Sequence, residues 1–339
     1  MVFVSNRPIV VLAMAPALTP DLFGEAQRAR LASIATLPDP APLTRVDDER
    51  AAALLAQAEI LLTAWGSPRI DGAALDRAPK LGAIIHAAGT VKGHVDPLCF
   101  ERGVRVTSAA AANAVPVAEF TVGAILLAGK RAFRLQRRYR EVRNYRLWWN
   151  EVPPIGNHRK VIGIVGASRI GRLVIEGLRP FSFSVLVCDP YLPAADATAL
   201  SVEKVELDDL LRRSDMVSLH APSLPETRHL LDARRLALLR DGAVLVNTAR
   251  GALVDGDALG ADLVAGRLDA VIDTTDPEIL PADSPLYELP NVFLTPHIAG
   301  AMGTETQRMA DLALDEIERF AKGEALLHEV KLEDLARIA

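Results

Sequence analysis

A short segment at residues 166–171 reads Gly-Ala-Ser-Arg-Ile-Gly and combines residue types that can hold a phosphate-containing ligand. It follows an apolar, β-branched run at 161–165, opens a helical pattern, and precedes a second apolar run that ends at Asp189. In the motif that binds dinucleotides, the amides and the dipole of a helix N-terminus face the pyrophosphate, and the later acid accepts hydrogen bonds from the ribose. The pattern therefore predicts a dinucleotide site at Gly166, Ser168, Arg169, Ile170, Gly171 and Asp189.

Ser168 stands where this motif usually has its second glycine. Serine is small and its hydroxyl can bond a phosphate oxygen, so the turn is still expected to bind phosphate. The alternative is a helix-capping turn of any α/β protein, but the flanking runs and Asp189 favour the nucleotide. The Asp189 carboxylate would repel a 2′-phosphate, and residues 190–192 include no arginine to bind one. The sequence therefore predicts NAD over NADP.

Polar side chains follow four further apolar runs that are predicted to be strands. They are His220, residues 247–251, Asp273 and residues 295–297. Each could have a structural role, as a core histidine, an ion-paired arginine or a helix cap. Ligands of open α/β sheets bind outside the carboxyl ends of the strands, however. Together, these residues predict a functional site at one end of the nucleotide-binding sheet.

Strand and helix patterns alternate along most of the chain. Strands are predicted at residues 9–14, 60–64, 81–87, 104–107, 161–165, 185–188, 216–220, 243–247, 270–273 and 291–294. Helices are predicted at residues 22–35, 48–56, 116–138, 170–178, 257–265 and 304–322. Such alternation predicts an α/β fold in which parallel sheets are covered by helices on both faces.

Length and composition limit the classes of function. The 339 residues predict two domains, and the net charge of −5 shows no basic footprint for nucleic acid or an anionic membrane. Cys99 and Cys188 form no C-x-x-C pair, so neither a disulfide framework nor a metal site is predicted. Reduced thiols in the cytoplasm are the expectation.

Two apolar segments resemble membrane or targeting signals in part. Pro8 and Pro16 flank or interrupt the N-terminal apolar run, which favours a buried first strand over a signal peptide. Residues 115–128 contain Glu119 and are expected to be too short for a membrane span.

Five stretches together resemble the D-2-hydroxyacid dehydrogenase family, the group with phosphoglycerate dehydrogenase and glyoxylate/hydroxypyruvate reductase. They are residues 163–171, 220–231, 247–255, 273–280 and 295–300. The resemblance extends from about residue 81 to residue 323, with the motifs in the family's order. It implies an NAD-dependent oxidoreductase that acts on the CH–OH group of a 2-hydroxy acid of R configuration, or on the matching 2-oxo acid.

The resemblance also implies residue roles. Arg250 matches the arginine that binds the substrate carboxylate and polarises the carbonyl, His297 matches the acid/base histidine, and Glu278 matches its partner carboxylate. Substrate contacts are implied for Ala88, Gly89, Arg250 and His297, with backbone amides acting at the first two. Cofactor contacts beyond the glycine turn are implied for His220, Ala221, Pro222, Thr227, Thr248, Ala249, Arg250, Asp273, His297 and Gly300. Asp273 would bond the nicotinamide carboxamide.

The implied architecture has two Rossmann-like domains with parallel sheets. Residues 1–110 and 301–339 would form a flavodoxin-like substrate domain, and residues 111–300 an inserted NAD-binding Rossmann domain. Substrate would bind in the cleft, and hinge closure would exclude water. The resemblance further implies a homodimer, in which Trp148 and Trp149 reach a neighbouring active site or pack at the interface.

Some residues depart from the family pattern, and other functions stay open. Thr274 and Ile279 stand where the family usually has valine and proline. One alternative is oxidation of another small anion; Glu278 argues against formate, whose enzymes use an amide side chain there, whereas phosphite remains open. The alternative from another class is an NADH-sensing, non-catalytic binding protein that resembles the co-repressor relatives.

Overall fold

The computed structural model describes residues 7–144 and 155–335, which form two compact units. Unit 1 comprises Met1–Asn113 and Ala301–Ala339, and unit 2 comprises Ala114–Gly300. The first crossing lies three residues after the expected position, because a helix that begins at Ala110 continues into unit 2. Trp148 and Trp149 lie outside the described residues.

Unit 1 contains a five-stranded sheet. Its strands, in spatial order, are β1 (Val10–Ala13), β2 (Ile60–Thr63), β3 (Ala83–His86), β4 (Arg105–Ser108) and β12 (Glu329–Val330). The first four are parallel, and β12 pairs antiparallel to β4. Single bridges to Thr36 and Leu43 extend the sheet beyond β1. With that segment as the edge, the order is flavodoxin-like, as predicted.

Helices cover both faces of this sheet. They are α1 (Thr19–Leu22), α2 (Glu25–Ile34), α3 (Glu49–Leu55), α4 (Gly72–Arg77), α5 (Pro97–Glu101) and α13 (Thr306–Ala321). Because every residue of β1, β2 and β3 is buried, these strands read as continuous apolar runs rather than alternating ones. The helix predicted at 22–35 is interrupted, since the chain leaves α1 at Phe23 and restarts after Gly24.

Unit 2 contains a seven-stranded parallel sheet. Its strands are β5 (Val161–Val165), β6 (Ser184–Cys188), β7 (Glu203–Lys204), β8 (Met216–Leu219), β9 (Val244–Asn247), β10 (Asp269–Ile272) and β11 (Val292–Leu294). The spatial order is β11-β10-β9-β8-β5-β6-β7. The order therefore reverses between β5 and β8, as in a Rossmann fold, and such a switch point is where dinucleotides bind.

Unit 2 also contains short helices, five of which lie between successive strands, whereas the first precedes β5. They are α7 (Ala132–Val142), α8 (Arg169–Leu178), α9 (Ala194–Leu200), α10 (Leu207–Arg213), α11 (Ala233–Leu236) and α12 (Gly256–Val264). The strand, glycine turn, helix, strand order predicted for residues 161–189 is confirmed by β5, α8 and β6.

Helix α6 (Ala110–Gly129) is 20 residues long and contains Pro116 in its interior. The prediction that this apolar segment is too short for a membrane span is wrong, because the alanine-rich residues before Pro116 are helical as well. By length and composition α6 is a candidate span. Core helices of soluble proteins have the same properties, and Ile125 of α6 belongs to a buried core cluster with Ile162 and Ile164 of β5.

The segment predicted as a single helix, residues 116–138, forms two helices, and its basic residues lie at the break and on the second helix. The chain breaks after Gly129, and Arg131 has a φ of 52° before α7 begins. The Arg131 guanidinium is buried; it donates to Asp269 Oδ2 at 2.7 Å and to the carbonyl of Gly242. From the sequence alone, the basic residues between positions 130 and 138 predict a solvated or subunit-facing surface. That prediction is wrong for Arg131, because Asp269 supplies a buried carboxylate.

We expect Arg131→Met to lower the free energy of unfolding by about 3 kcal/mol, since it leaves the buried Asp269 carboxylate without its closest cation. Urea unfolding followed by circular dichroism measures this. Arg140→Met, at an exposed position of α7, is the control and should change stability by less than about 0.5 kcal/mol. Equal effects of the two substitutions would contradict this account of the pair.

Candidate cofactor and catalytic site

The glycine turn lies at the switch point of the unit 2 sheet. Gly166 has a φ of +96°, and a Cβ there would lie 2.7 Å from the amide nitrogen of Ala221. Only glycine fits this combination of left-handed backbone and close approach. The turn after β5 is therefore packed directly against the backbone that follows β8. In this fold, the crevice at such a switch point is where the ligand binds.

The first turn of α8 presents unused hydrogen-bond donors. Ser168 is the N-cap, and its Oγ accepts from the amide of Gly171 at 3.3 Å. Within the described residues, the amides of Ser168, Arg169 and Ile170 donate to no acceptor, and the Arg169 side chain is exposed. Free amides at a helix N-terminus are suited to a pyrophosphate. The residues at this turn therefore fit a dinucleotide.

Asp189 ends β6 beside this turn. Its Oδ2 accepts from the amide of Ala167 at 2.7 Å, and its Oδ1 accepts from the amide of Tyr191 at 2.7 Å. The carboxylate thus ties β6 to the glycine turn and is held in a fixed orientation. Each oxygen keeps a second lone pair, so the predicted bonds to ribose hydroxyls are compatible with the geometry.

The side chains of three predicted cofactor residues, His220, Thr227 and Thr248, form hydrogen bonds within the protein. The His220 ring is 4% exposed and bonds Ser218 Oγ through Nε2 at 2.8 Å. Thr227 Oγ1 donates to the carbonyl of Pro222 at 2.7 Å and accepts from the amide of Leu224. At His220 and Thr227, and at the neighbouring Ala221 and Pro222, a predicted contact with the cofactor would come from the backbone.

Thr248 is held in the same way. Its Oγ1 lies 2.8 Å from Thr121 Oγ1 on α6, and the Thr121 hydroxyl already donates to the carbonyl of Val117. The Thr248 hydroxyl therefore donates to Thr121. This contact fixes the start of the turn that carries Ala249 and Arg250.

The Arg250 turn is held by Asn247, a residue whose role the sequence had not revealed. Its Nδ2 donates to the carbonyl of Arg250 at 2.9 Å, and its Oδ1 accepts from the amide of Ala249 at 3.1 Å. Next to it, a Cβ on Gly251 would lie 2.0 Å from the carbonyl carbon of Thr275. The absence of that Cβ lets the turn pack against the segment that leads to Glu278.

The Arg250 guanidinium donates from Nη1 to its neighbouring carbonyl, that of Ala249, at 2.6 Å. It forms no ion pair with any residue that the structure describes. Burial lowers the pKa of Arg250, and the charge of Glu278 partly opposes this shift. Because a guanidinium stays protonated in proteins, Arg250 offers a positive charge and open donors to an anionic ligand.

His297 and Glu278 form a close pair. The Nδ1 of His297 lies 2.5 Å from Oε1 of Glu278, and the two side chains are 47% and 57% exposed. With Nδ1 facing a carboxylate, Nε2 is the nitrogen left to exchange a proton with a ligand. Ile279, in place of the family's proline, has not moved Glu278 away from the imidazole.

Asp273 holds the loop on which His297 lies. Its Oδ1 accepts from Thr295 Oγ1 at 2.6 Å and from the amide of Ile298 at 2.8 Å, and its Oδ2 accepts from the amide of Ala299 at 2.9 Å. The amide of His297 donates to the Asp273 carbonyl at 2.9 Å. The expected bond of Asp273 to the nicotinamide carboxamide stays a prediction. Gly300, the last residue of unit 2, follows Ala299 directly.

In unit 1, the loop after β3 contains Ala88 and Gly89. Their carbonyls accept from the amide of Ala109 at 3.0 Å and from Ser108 Oγ at 2.6 Å. The four consecutive amides of residues 88–91 donate to no acceptor in the described part of the chain. A run of unpaired amides is an anion site. The sequence had indicated the first two residues but not Thr90 and Val91, because free amides leave no signature in residue type.

Most of unit 2, including Arg250, Glu278 and His297, matches a known protein family. A family profile described as D-isomer specific 2-hydroxyacid dehydrogenase, NAD binding domain, matches residues 122–299. The glyoxylate reductase of Thermofilum pendens is 36% identical over 264 residues, which cover 76% of each chain. The chain belongs to the D-isomer specific 2-hydroxyacid dehydrogenase family. Unit 2 therefore contains its NAD-binding domain.

Other members of the 2-hydroxyacid dehydrogenase family show similar agreement. The D-3-phosphoglycerate dehydrogenase of Mycobacterium tuberculosis is 35% identical over 279 residues, or 81% of this chain. This chain spans about half of that relative, since the match covers 51% of its length. The crystal structure of the TT0316 protein from Thermus thermophilus is 31% identical, with a TM-score of 0.75 over 95% of this chain and 99% of that one.

Thr274, the departure beside Asp273, generates a stability prediction. Its side chain is buried, and its hydroxyl has no hydrogen-bond partner within the described residues. Thr274→Val should raise the free energy of unfolding by about 1 kcal/mol, because it removes an unsatisfied polar group without changing the shape. Thr295→Val is the matched control. It removes a donor to the Asp273 carboxylate and should destabilise by about 2 kcal/mol in the same urea titration. A loss of stability in Thr274→Val would disprove the assignment.

His220 generates a prediction about pH. Burial lowers its pKa from 6.5 to about 3. Between about pH 6.5 and pH 3, the unfolded state therefore binds a proton at this ring and the folded state does not. The free energy of unfolding falls as the pH falls through this range. Between pH 7 and pH 5 this residue should cost about 2 kcal/mol. His220→Gln should remove that part of the pH dependence in urea unfolding, whereas His158→Gln, at an exposed position, should leave it intact. An unchanged pH dependence in His220→Gln would show that the ring is not buried as a neutral group.

Proposed function

We propose that this chain catalyses the NAD-dependent interconversion of a D-2-hydroxy acid and its 2-oxo acid. The observation that carries the proposal is the His297–Glu278 pair at 2.5 Å, in the same NAD-binding domain as a charged Arg250 without an ion-pair partner among the described residues. The names of the relatives, a glyoxylate reductase and a D-3-phosphoglycerate dehydrogenase, support this class of reaction.

Arg250 would bind the substrate carboxylate and polarise the adjacent carbonyl, since its fork of donors suits a carboxylate. When bound, the cofactor supplies the hydride for reduction of the 2-oxo acid. His297 would hold a proton at Nε2 and donate it to the carbonyl oxygen, and in the oxidation it would accept the hydroxyl proton there. Glu278 would orient the imidazole and stabilise its charged form.

The amides of residues 88–91 are proposed as further ligands for the substrate carboxylate, on the basis of their free donors and of the resemblance at Gly89. Asp189 supports a preference for NAD over NADP, because a second anion would be repelled there. The homodimer, the cytoplasmic location and the absence of nucleic-acid and membrane partners stay predictions.

The proposal is tested by following NADH oxidation by absorbance with glyoxylate, hydroxypyruvate, pyruvate, phenylpyruvate and 2-ketopantoate, with NADPH in parallel. We expect turnover of at least one 2-oxo acid and a preference for NADH. Binding of NADH without turnover of any of the five acids would contradict the proposal. Phosphite oxidation with NAD and pull-down of a protein partner would then separate the two alternatives.

His297→Gln should lower kcat/KM on the best 2-oxo acid by about 10²- to 10⁴-fold, because general acid/base catalysis is lost. The Kd for NADH, measured by fluorescence, should change far less than kcat/KM, because His297 is only one of many predicted cofactor contacts. His158→Gln serves as the control for an exposed histidine of the same unit. A kcat/KM of His297→Gln within threefold of the unmodified protein would eliminate the assigned mechanism.

A further inference from the structure

A chain of polar side chains joins the ends of β2 and β3 to the end of the loop that follows β3 in unit 1. Thr63 Oγ1, at the end of β2, is 2.9 Å from Nδ1 of His86, at the end of β3. The other nitrogen of His86, Nε2, is 3.3 Å from Nε2 of His94. The two ring centroids are 4.5 Å apart. The catalytic residues proposed above, all in unit 2, make no use of this pair.

The pair is a neutral hydrogen-bonded unit. One Nε2 must carry a proton and the other must not, because two protonated nitrogens would repel each other. Burial lowers the pKa of His86 to about 3, and burial also lowers the pKa of the half-buried His94. The backbone of Thr90 interacts with both rings and partly opposes these shifts. Because both pKa values are lowered from 6.5, both rings are uncharged at neutral pH.

Several carbonyl groups of this loop accept hydrogen bonds from other parts of unit 1. The carbonyls of Ala88 and Gly89 accept from Ala109 and Ser108, and the carbonyl of His94 accepts from the amide of Ile70 at 2.7 Å. The hydrogen bond between the rings joins His94, at the end of the loop, to His86, directly before its start, so the loop is held at both ends. The amides of residues 88–91 are left without acceptors in the part of the protein that the structure describes.

We propose that His86 and His94 are positioning residues that hold the loop of residues 87–94 so that its amides bind the carboxylate of the substrate. The inference rests on the proposed function, because it assigns the amides to the substrate of that reaction. Neither ring is a catalytic residue, since each acts through the backbone of the loop.

A purely space-filling role predicts a different outcome from a positioning role. Phenylalanine fills the volume of the His94 ring but offers no Nε2 to His86. If the hydrogen bond positions the amides, its loss weakens binding of the carboxylate, while the hydride-transfer step and the NADH site remain unchanged. Glutamine restores a donor at about the place of Nε2 and should restore binding.

The experiment compares His94→Phe, His94→Gln and, as a control in the same unit, His328→Gln. Steady-state kinetics give kcat and KM for the best 2-oxo acid, and fluorescence gives the Kd for NADH. Titration with oxalate, followed through the ¹⁵N-resolved amide signal of Gly89, gives the affinity of the amides for a carboxylate without any turnover.

We expect His94→Phe to raise KM and the oxalate Kd by about 10- to 100-fold, the effect of losing one or two hydrogen bonds to a charged group. Its kcat and NADH Kd should stay within threefold, and His94→Gln should recover most of the loss. Unchanged KM and oxalate Kd in His94→Phe, or a parallel loss of kcat and NADH binding that glutamine fails to rescue, would overturn the inference.

The two proposals fail in different ways. If the unmodified protein turns over no 2-oxo acid but binds oxalate at Gly89, and His94→Phe weakens that binding, the proposed reaction is wrong and the positioning role is supported. If turnover is normal and His94→Phe binds oxalate and substrate as the unmodified protein does, the positioning role is wrong and the reaction stands.

Discussion

The buried carboxylate of Asp273 is the interaction on which the catalytic end of unit 2 depends. It is 2% exposed, and both of its oxygens accept hydrogen bonds from the segment of residues 295–299. That segment contains His297 in a left-handed conformation, with a φ of 54°, which is rare for a residue with a side chain. The anion compensates this cost and satisfies amides that would otherwise be buried without partners, so the imidazole is directed at Glu278.

Much of the fold could be predicted from the sequence because parallel strands buried on both faces are apolar along their whole length. The motif at residues 166–171 and the acid at Asp189 were recognisable because glycine and carboxylate types are required there. Where the prediction failed, a tertiary partner decided the outcome. Arg131 lies among basic residues in the sequence, but it is buried because it forms an ion pair with Asp269, 138 residues further along the chain. The start of α6 was missed because a proline inside a helix resembles a helix start.

Some parts of the candidate site could be predicted from the sequence and others could not. Arg250 and His297 were indicated by residue type at predicted strand ends and Glu278 by the family resemblance, and the structure brings the last two into contact. Asn247 was indicated as part of the site but not its role in holding the turn, and the amides of Thr90 and Val91 were not indicated. Whether a backbone group can bind a ligand depends on whether it remains unpaired after folding. Distant residues decide this; Ser108, for example, bonds the carbonyl of Gly89. Cofactor contacts at Thr248 and Thr227 stay predictions, and the structure adds that both hydroxyls form hydrogen bonds within the protein.

The sheet of unit 1 is completed by residues 306–330, which follow unit 2 in the sequence. Strand β12 pairs with β4, and Met309, Leu314 and Ile317 of α13 belong to the same buried cluster as residues of β1 and β2. Unit 2, by contrast, is one continuous segment. During synthesis on the ribosome, the continuous unit can therefore finish folding while the discontinuous one still exposes the apolar face that α13 will cover. The apolar face of unit 1 is thus open to aggregation until α13 has been synthesised and has left the exit tunnel.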